Sequence, residues 1–307
     1  MQNIKFIEGS EIRRVLTYDE LIPAIEKALV NFSDREHGDV VQPLRSVVPI
    51  TKQNGLFLVM PALSAKEEAL ATKIVTVYPG NAEKGLPSHQ AVVMLFDPSN
   101  GSLISMLDGE KITEMRTAAA SAVATKHLAK EDVKVLAILG SGVQARSHAE
   151  ALKHVRNFTE VRVWSRTTAN AQRFANDIGA KCCPDVESAV AGADVIVTAT
   201  FATEPVLMGK WVKKGAVINA VGAPTPKLRE LDDELMQNSI IVGDSVEAAS
   251  KEAGDVVLSK ASVAGEIGEV ITGKMQLPKD KTKVFKSLGL AVEDAVTAKL
   301  VFDKLQS

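Results

Sequence analysis

The sequence predicts an α/β fold in which a Rossmann-type parallel-sheet domain is joined to an α+β domain completed by a C-terminal helix. Two patterns predict it. Short apolar runs separated by turn residues fill the first third of the chain, whereas strands alternate with helices from Val133 onwards. The chain has 307 residues. Since a single hydrophobic core stops growing at about 250–300 residues, two domains are expected.

The first domain begins with a helical pattern and continues with candidate strands. In Thr17–Phe32 apolar residues recur at helical spacing, so that Leu21, Ile25 and Leu29 share one face. Turn-forming sequences such as Asn54-Gly55 separate the runs that follow. The candidate strands are Arg45–Ile50, Leu56–Pro61, Ala71–Tyr78, His89–Phe96 and Leu103–Leu107. This order predicts an α+β module with a mostly antiparallel or mixed sheet.

The second domain shows the alternation of short strands and helices that is typical of a parallel sheet covered on both faces. Strands are expected at Val133–Leu139, Val161–Trp164, Val195–Thr198, Ala216–Ala220 and Ile240–Val242. Helices are expected at Gln144–Val155, Thr168–Ile178, Val186–Ala191 and Leu231–Gln237. A further helical segment, Val284–Leu305, is expected to pack on the first domain. We therefore expect one domain to comprise residues 1–118 and 284–307, and the other to comprise residues 119–283.

Composition and charge argue against several functions. The formal net charge is −2 and the pI is about 6.3, which provides no basic stripe for nucleic acid. No apolar run approaches the roughly 20 residues of a membrane span, and no secretory signal is expected at the N-terminus. The adjacent Cys182 and Cys183 lack the spacing of a metal site. We expect them to be reduced thiols in a cytoplasmic protein that binds no metal.

A glycine-rich loop indicates a dinucleotide site. The strand that ends at Leu139 runs into the sequence Gly140–Ala145, and a helical pattern follows. In this context Gly140 permits a tight turn, and Gly142 lets the backbone approach a pyrophosphate bound at the helix N-terminus. The loop alone is a weak signal. Together with its strand, its helix and the downstream βαβ rhythm, it predicts a Rossmann-type dinucleotide site.

The residues after the second parallel strand predict which dinucleotide binds. NAD-specific folds carry an acidic residue about 20 residues beyond the glycine loop, where it binds the ribose 2′-hydroxyl. This sequence has Ser165, Arg166 and Thr167 instead. The Arg166 guanidinium suits a 2′-phosphate, and the two hydroxyls can donate to it. We therefore expect NADPH as the cofactor, with NADH binding more weakly.

Cationic side chains interrupt the apolar strands of the first domain. Arg45 and Lys73 lie in two candidate strands, Ser88 and His89 open another, and Arg116 starts an alanine-rich helix. Each alone is typical of a surface charge, but together they indicate a pocket for a carboxylate and an imine. A desolvated lysine among other cations has a lowered pKa and can supply a proton.

Motifs along the whole chain resemble the ornithine cyclodeaminase/mu-crystallin family in order and spacing. They are Gln42–Arg45, Thr72-Lys73, Pro87–Ala91, Arg116–Ala119, Gly140–Ala145, Ala202–Pro205, Asn219–Gly222, Glu230–Leu235 and Phe285–Gly289. The resemblance implies a homodimer whose first domain, completed by the C-terminal helix, holds the substrate and the dimer contacts. It also implies that Arg45, Lys73 and Arg116 bind and polarise the substrate.

The resemblance extends to the cofactor and to a second ligand. It implies that the nicotinamide side of the cofactor is contacted by Ser88, His89, Arg116 and Thr117. The remaining cofactor contacts would come from Gly140, Gly142, Val143, Gln144, Ser165, Arg166, Thr167, Val221 and Ser287. Vertebrate members of the family also bind thyroid hormone, and Glu252 matches a residue of that hormone pocket.

One departure from the family pattern bears on the reaction. Cyclodeaminases carry an aspartate shortly after the Val-Gly pair that closes the fifth strand, whereas this chain has Pro224 there. The resemblance then favours NADPH-dependent reduction of cyclic ketimines to cyclic amino acids. Candidate substrates are Δ1-piperideine-2-carboxylate, Δ1-pyrroline-2-carboxylate and sulfur-containing ketimines. The alternatives are a cyclodeaminase or an alanine dehydrogenase-like enzyme and, in another class, a thyroid-hormone carrier or a structural lens crystallin.

Overall fold

The computed structural model describes residues 4–306, apart from the side chain of Ala82, and these residues form two compact units. Unit 1 extends to Arg116 and resumes at Leu290, and unit 2 comprises Thr117–Gly289. The strands are β1 (Lys5–Ile7), β2 (Val40–Val41), β3 (Ser46–Ile50), β4 (Gly55–Ser64), β5 (Ala69–Val77), β6 (His89–Phe96), β7 (Leu103–Asp108), β8 (Val135–Leu139), β9 (Glu160–Trp164), β10 (Lys181–Cys182), β11 (Val195–Thr198), β12 (Val217–Ala220), β13 (Ile240–Gly243), β14 (Val263–Glu266) and β15 (Lys283–Lys286). The helices are α1 (Gly9–Val15), α2 (Tyr18–Ser33), α3 (Gly109–Leu128), α4 (Val143–Ala151), α5 (Thr168–Ile178), α6 (Val186–Val190), α7 (Asp233–Asn238), α8 (Val246–Glu252), α9 (Gly254–Ser259), α10 (Ile267–Ile271) and α11 (Ala291–Gln306).

Unit 1 is built around a mixed sheet with the strand order β1-β7-β6-β5-β4-β2, in which β3 also pairs with β4. Strand β1 runs parallel to β7, and the other pairs are antiparallel, as the sequence predicts. Helix α11 packs on β4, β5 and β6 and also contacts α2. Four cross-strand neighbours form one buried row of the sheet: Met60, Lys73, Val93 and Leu107. A lysine therefore lies within an otherwise apolar row.

Helix α11 places two acidic residues in the interior of unit 1. Glu293 and Asp294 lie in its first turn and are buried. Negative charge is favourable there because the backbone N–H groups of the first helical turn point towards it. The side chain of Gln42 also serves this turn, since its Oε1 accepts a hydrogen bond from the N–H of Val292 at 2.7 Å. The start of α11 is therefore fixed against the segment that leads into β3.

Unit 2 contains a parallel sheet with the strand order β10-β9-β8-β11-β12-β15-β13-β14. All of its pairings are parallel. From β8 the chain proceeds outwards through β9 to β10, and from β11 it proceeds in the opposite direction. The order thus reverses between β8 and β11, which end at Leu139 and Thr198. Ligands of such sheets bind outside the carboxyl ends of the strands at this reversal.

One prediction for the C-terminal part of the chain is wrong. The sequence predicts a helical segment from Val284, but Lys283–Lys286 forms β15, and α11 begins only at Ala291. Val284 and Phe285 are fully buried, and β15 lies between β12 and β13. A short run of β-branched and aromatic residues suits such an interior strand. The units accordingly divide before residue 117 and before residue 290, where the sequence suggests 119 and 284.

A buried histidine joins the helix after the glycine loop to α3. His148 on α4 is fully buried, and its Nδ1 lies 2.7 Å from the carbonyl oxygen of Gln144. Its Nε2 lies 2.9 Å from the hydroxyl oxygen of Ser121. Because a carbonyl can only accept, Nδ1 donates, and Nε2 then accepts from the Ser121 hydroxyl in the neutral ring. Burial lowers the pKa of His148 to about 4.

This lowered pKa predicts a loss of stability in mild acid. Between about pH 6.5 and pH 4 the unfolded chain binds a proton at His148 and the folded chain does not, so the free energy of unfolding falls as the pH falls. The loss amounts to about 3–4 kcal/mol at most, since one pKa unit corresponds to about 1.4 kcal/mol. Urea unfolding of the unmutated protein and of His148→Gln should show the variant to be less stable at pH 7. The gap should narrow towards pH 4, and a gap that is equal at every pH would contradict this assignment.

Candidate active site

Lys73 is the most deeply buried cation of unit 1 among the three that the sequence indicates. It lies on β5 between its cross-strand neighbours Met60 and Val93, and 3% of its side chain is exposed. Its Nζ is 2.7 Å from Oδ2 of Asp294 and 3.3 Å from the hydroxyl oxygen of Thr113. A charged amine is stable in such a place only when it is paired in this way.

Arg116 is held by the same helix turn. On α3, its Nε lies 3.1 Å from Oδ1 of Asp294, and one terminal nitrogen lies 3.0 Å from Oε2 of Glu293. Both acids and the arginine are buried. Asp294 therefore bridges Lys73 and Arg116, each through a different carboxylate oxygen. The four groups form a compact cluster, which we call the acid–base cluster.

The acid–base cluster gives Lys73 a pKa close to neutrality. The pKa of Lys73 is lowered to about 8, mainly by burial and also by the positive charges of Arg116 and Arg45. The charge and hydrogen bond of Asp294 oppose these effects. An amine with a pKa near the working pH can both release and recover a proton, which is the property of a general acid.

Arg45 completes the cationic group that the sequence indicates. It precedes β3 and is half-buried, and its charge is close enough to lower the pKa of Lys73. The structure therefore brings Arg45, Lys73 and Arg116 together within unit 1. Its partial exposure distinguishes Arg45 from the other two, which are enclosed. Of the three cations, Arg45 is the one most accessible to a substrate carboxylate.

The sequence analysis does not predict a role for the two carboxylates of this cluster. Glu293 and Asp294 follow Ala291 and Val292 and so interrupt an apolar helix face. Two adjacent acidic residues in an otherwise apolar helix face indicate that they pair with buried cations from other elements of the fold. The partners could not be named because no sequence pattern links α11 to β5 and α3.

Ser88 and His89 lie further along the sheet. The hydroxyl oxygen of Ser88 is 3.1 Å from Nδ1 of His89, an exposed residue that begins β6. Desolvation by the surrounding protein lowers the pKa of this histidine. His89 pairs with Val77, four residues along β5 from Lys73. At about 3.3 Å per residue the two positions are roughly 13 Å apart, so His89 does not belong to the acid–base cluster.

The glycine loop of unit 2 has the geometry of a dinucleotide cradle. Gly140 has a φ of +129°, and a Cβ there would lie 2.5 Å from the carbonyl oxygen of Ala199, so only glycine fits. Gly142 precedes α4, and a Cβ there would meet open space. Val143 is exposed beside it. The backbone at Gly142 is therefore open to a pyrophosphate at the start of α4.

The ribose edge of this cradle follows β9. The hydroxyl of Ser165 is 3.0 Å from that of Ser141, which ties the end of β9 to the glycine loop. Arg166 and Thr167 come next and are exposed. Within residues 4–306 Arg166 forms no ion pair, so its charge is available to a ligand. These residues fit a dinucleotide that carries a 2′-phosphate.

The remaining residues expected at the cofactor or the hormone lie in unit 2. Thr117 and Ser287 are buried, and the Ser287 hydroxyl donates to Oδ2 of Asp244 at 3.3 Å. Val221 follows β12, and its N–H donates to the carbonyl of Thr198 at 3.0 Å. Gln144 lies in the first turn of α4, and Glu252 is the last residue of α8.

The described part of the chain shows neither a metal-binding cluster nor a membrane-spanning helix. Within residues 4–306 no group of three or more His, Cys, Asp or Glu residues is arranged to hold a metal ion. Over the same residues, every helix is too short or too polar to cross a membrane.

Known proteins share the fold of both units. The model of the ornithine cyclodeaminase/mu-crystallin family matches residues 4–307. A ketimine reductase mu-crystallin from Macropus fuliginosus is 53% identical over 306 residues, which is 98% of each chain. The Δ1-pyrroline-2-carboxylate reductase of Thermococcus litoralis, solved with NADH and L-proline, has a TM-score of 0.93 and 35% identity, covering 98% of this chain and 97% of that one. An archaeal alanine dehydrogenase dimer with bound NAD has a TM-score of 0.91 and 30% identity, covering 99% and 96%. The chain therefore belongs to the ornithine cyclodeaminase/mu-crystallin family.

Proposed function

We propose that this chain is an oxidoreductase that uses NADPH to reduce five- and six-membered cyclic ketimines bearing a carboxylate next to the C=N bond. The observation that carries the proposal is a buried lysine with a pKa of about 8, paired with Asp294, which also binds Arg116. The relatives named above support it. One is a ketimine reductase, and another was solved with NADH and with proline, the amino acid that reduction of Δ1-pyrroline-2-carboxylate yields.

The reaction needs a hydride, a proton and an anchor for the substrate. When bound, a reduced nicotinamide cofactor would supply the hydride for the new C–H bond at the imine carbon. Lys73 donates a proton to the imine nitrogen, because an iminium is the better hydride acceptor. The C=N double bond becomes a CH–NH single bond, and Lys73 recovers its proton from solvent after release of the amino acid. Asp294 keeps the charged form of Lys73 accessible by opposing the effect of burial.

Arg45 and Arg116 have different roles in binding the substrate carboxylate. Arg116 is already engaged with Glu293 and Asp294, so its guanidinium is rigidly placed and its charge is largely matched. Arg45 is only half-buried, and we assign it the main contact with the substrate carboxylate. Arg116 adds its field to the same region. An anchored carboxylate fixes the imine carbon relative to the hydride donor.

Removing the amine of Lys73 tests the proton donor. Lys73→Met keeps the length of the side chain, and kcat for Δ1-piperideine-2-carboxylate should fall by about 100-fold or more. In the unmutated enzyme kcat should fall as the pH rises through about 8, because deprotonated Lys73 cannot donate. This alkaline limb should be absent from the residual activity of the variant. Steady-state kinetics from pH 6 to pH 10 measure both effects.

The control for this substitution is Lys111→Met, which removes a lysine paired with Glu114 on α3 and should leave kcat unchanged. Ornithine provides a second comparison. Pro224 occupies the position of the cyclodeaminase aspartate, so ammonia release from ornithine should be undetectable. Vigorous ammonia release, or a Lys73→Met enzyme with normal kcat, would show that the chemistry is misassigned.

Substrate anchoring is tested most cleanly at Arg45, because Arg116→Ala would strand two buried acids and endanger the fold. Arg45→Ala should lower kcat/KM by roughly 30- to 1000-fold, which corresponds to about 2–4 kcal/mol for a lost carboxylate contact. The loss should appear mainly in KM. Arg35→Ala, which removes an arginine stacked on Phe32 in the same unit, serves as the control. A normal kcat/KM in Arg45→Ala would place the anchor elsewhere.

Cofactor preference is tested at Arg166. NADPH should bind well over tenfold more tightly than NADH, because a guanidinium–phosphate pair is stronger than a neutral hydrogen bond. Arg166→Ala should remove most of this preference by weakening NADPH binding and leaving NADH binding unchanged. Arg173→Ala removes an exposed charge from α5 and should alter neither affinity. Fluorescence titration measures all of these affinities, and equal affinities in the unmutated protein would contradict the prediction.

We also propose that the protein is a homodimer, formed through the sheet face of unit 1 that α11 does not cover. Three cross-strand neighbours on this face, Val59, Ile74 and Val92, are only half-buried, and Met94 pairs with Met106 in the next row. A partly exposed apolar sheet face of this kind is typical of an interface. The archaeal alanine dehydrogenase named above is likewise a dimer.

A charge on this face should separate the subunits. Light scattering should give about twice the chain mass of 32.8 kDa for the unmutated protein and the chain mass itself for Met94→Lys. Leu258→Lys places the same charge at an exposed apolar position of unit 2 and should not dissociate the dimer. A monomeric unmutated protein would refute this proposal.

A further inference from the structure

A buried carboxylate in unit 2 has no role in the reaction described above. Glu230 is fully buried in the segment between β12 and α7. Its Oε1 accepts hydrogen bonds from the N–H and the hydroxyl of Thr200, at 2.6 and 2.7 Å. Its Oε2 accepts from the hydroxyl of Thr198 at 2.7 Å and from the N–H of Gly222 at 2.8 Å. One side chain thus joins the ends of β11 and β12.

The hydrogen bonds around Glu230 fit a carboxylate, although burial makes its charged form costly. Burial and the charge of Asp255 raise the pKa of Glu230, and the charge of Lys286 and the hydrogen bonds from Thr200 oppose that rise only in part. Four donors directed at the two oxygens, two at each, are the arrangement that a carboxylate requires. Each oxygen accepts a hydrogen bond from one backbone N–H. Because a backbone N–H can only donate, both oxygens must act as acceptors.

A buried ion pair fixes the backbone of Glu230. Asp255 accepts hydrogen bonds from the N–H groups of Glu230 and Leu231, at 2.7 and 2.9 Å, through a single oxygen. Its other oxygen lies 2.9 Å from Nζ of Lys286, and neither side chain is exposed. Lys286 is the last residue of β15. The backbone of Glu230 is therefore held by Asp255, which is fixed in turn by Lys286 of β15.

The loops that Glu230 joins lie against the glycine loop. A Cβ at Gly140 would come within 2.5 Å of the carbonyl oxygen of Ala199, and one at Gly222 within 2.1 Å of the carbonyl oxygen of Thr200. The backbones of the loops after β8, β11 and β12 therefore approach one another closely at these two glycines, and the Glu230 carboxylate lies against Gly222 as well. They meet at the reversal of strand order, where a parallel sheet binds its nucleotide.

We propose that Glu230 is a positioning residue for the nicotinamide dinucleotide. By holding Thr200 and Gly222 it keeps the two following loops in register with the glycine loop, so that the nucleotide meets an ordered surface. Binding then requires less ordering of the loops, and the affinity is higher. This role rests on the dinucleotide binding proposed above. Glu230 acts through the backbone it holds and contacts no reacting atom.

An isosteric substitution tests the proposal. In Glu230→Gln the amide nitrogen takes the place of one oxygen, and in either orientation it faces a backbone N–H at 2.6–2.8 Å. One loop is therefore released whichever way the amide turns. The Kd for NADPH should rise at least tenfold, whereas kcat at saturating NADPH should change less than threefold. Fluorescence titration measures the Kd, and steady-state kinetics measure kcat.

Asp194→Asn is the matched control. Asp194 binds the N–H groups of Lys134 and Val135 and the amine of Lys213, at the amino-terminal edge of the same sheet. This variant should lose thermal stability without a change in the Kd for NADPH. If Glu230→Gln does not fold, Thr200→Val removes one of the four donors with little change of volume and should raise the Kd about threefold.

The outcomes separate this inference from the proposed function. An unmutated protein that binds neither NADPH nor NADH would refute both. If the unmutated protein binds NADPH and Glu230→Gln binds it equally well, the positioning role alone is refuted. The positioning role is also refuted if Glu230→Gln and Asp194→Asn weaken binding to the same extent at equal loss of melting temperature, because Glu230 would then be a stabilising residue only.

Discussion

The buried carboxylate of Asp294 is the group on which the chemistry proposed for unit 1 depends. A lysine inside a sheet is strongly destabilising unless an opposite charge accompanies it. Asp294 provides that charge to Lys73 through one oxygen and holds Arg116 through the other. Its place in the first turn of α11 also suits its own charge. The same contacts that make the lysine tolerable in the core give it a pKa at which it can transfer a proton.

This arrangement makes the helix α11 part of the candidate site as well as part of the core. The helix covers β4, β5 and β6, and its first turn brings the carboxylates to strands that lie far away in the sequence. In unit 2 the buried charges have a structural role. Its nucleotide edge is shaped by close backbone contacts at Gly140 and Gly222, and its buried charges, Glu230, Asp255 and Lys286, hold loops in place.

Local patterns predict most of the secondary structure and half of the site. The strands β4 to β7 and the helix α5 follow from alternation, helical periodicity and turn residues. The glycine loop can be found because its chemistry is contained in six consecutive residues. The cations can be found because charge within an apolar strand is visible locally. Their partners on α11 cannot be assigned, since pairing across the fold leaves no local trace. The strand β15 resembles the start of a helix in the sequence because four residues are too few to show a period.

The position of β15 has a consequence for how the chain matures. This strand is among the last elements in the sequence, yet it lies between β12 and β13 in the interior of the sheet of unit 2. During synthesis β12 and β13 are therefore complete before β15, the strand that pairs with both of them. The sheet of unit 1 is likewise complete before the helix α11 that covers it. Neither core can close until these last elements have been synthesised. Until then the edges of β12 and β13 are unpaired, and exposed strand edges of this kind make folding intermediates prone to aggregate.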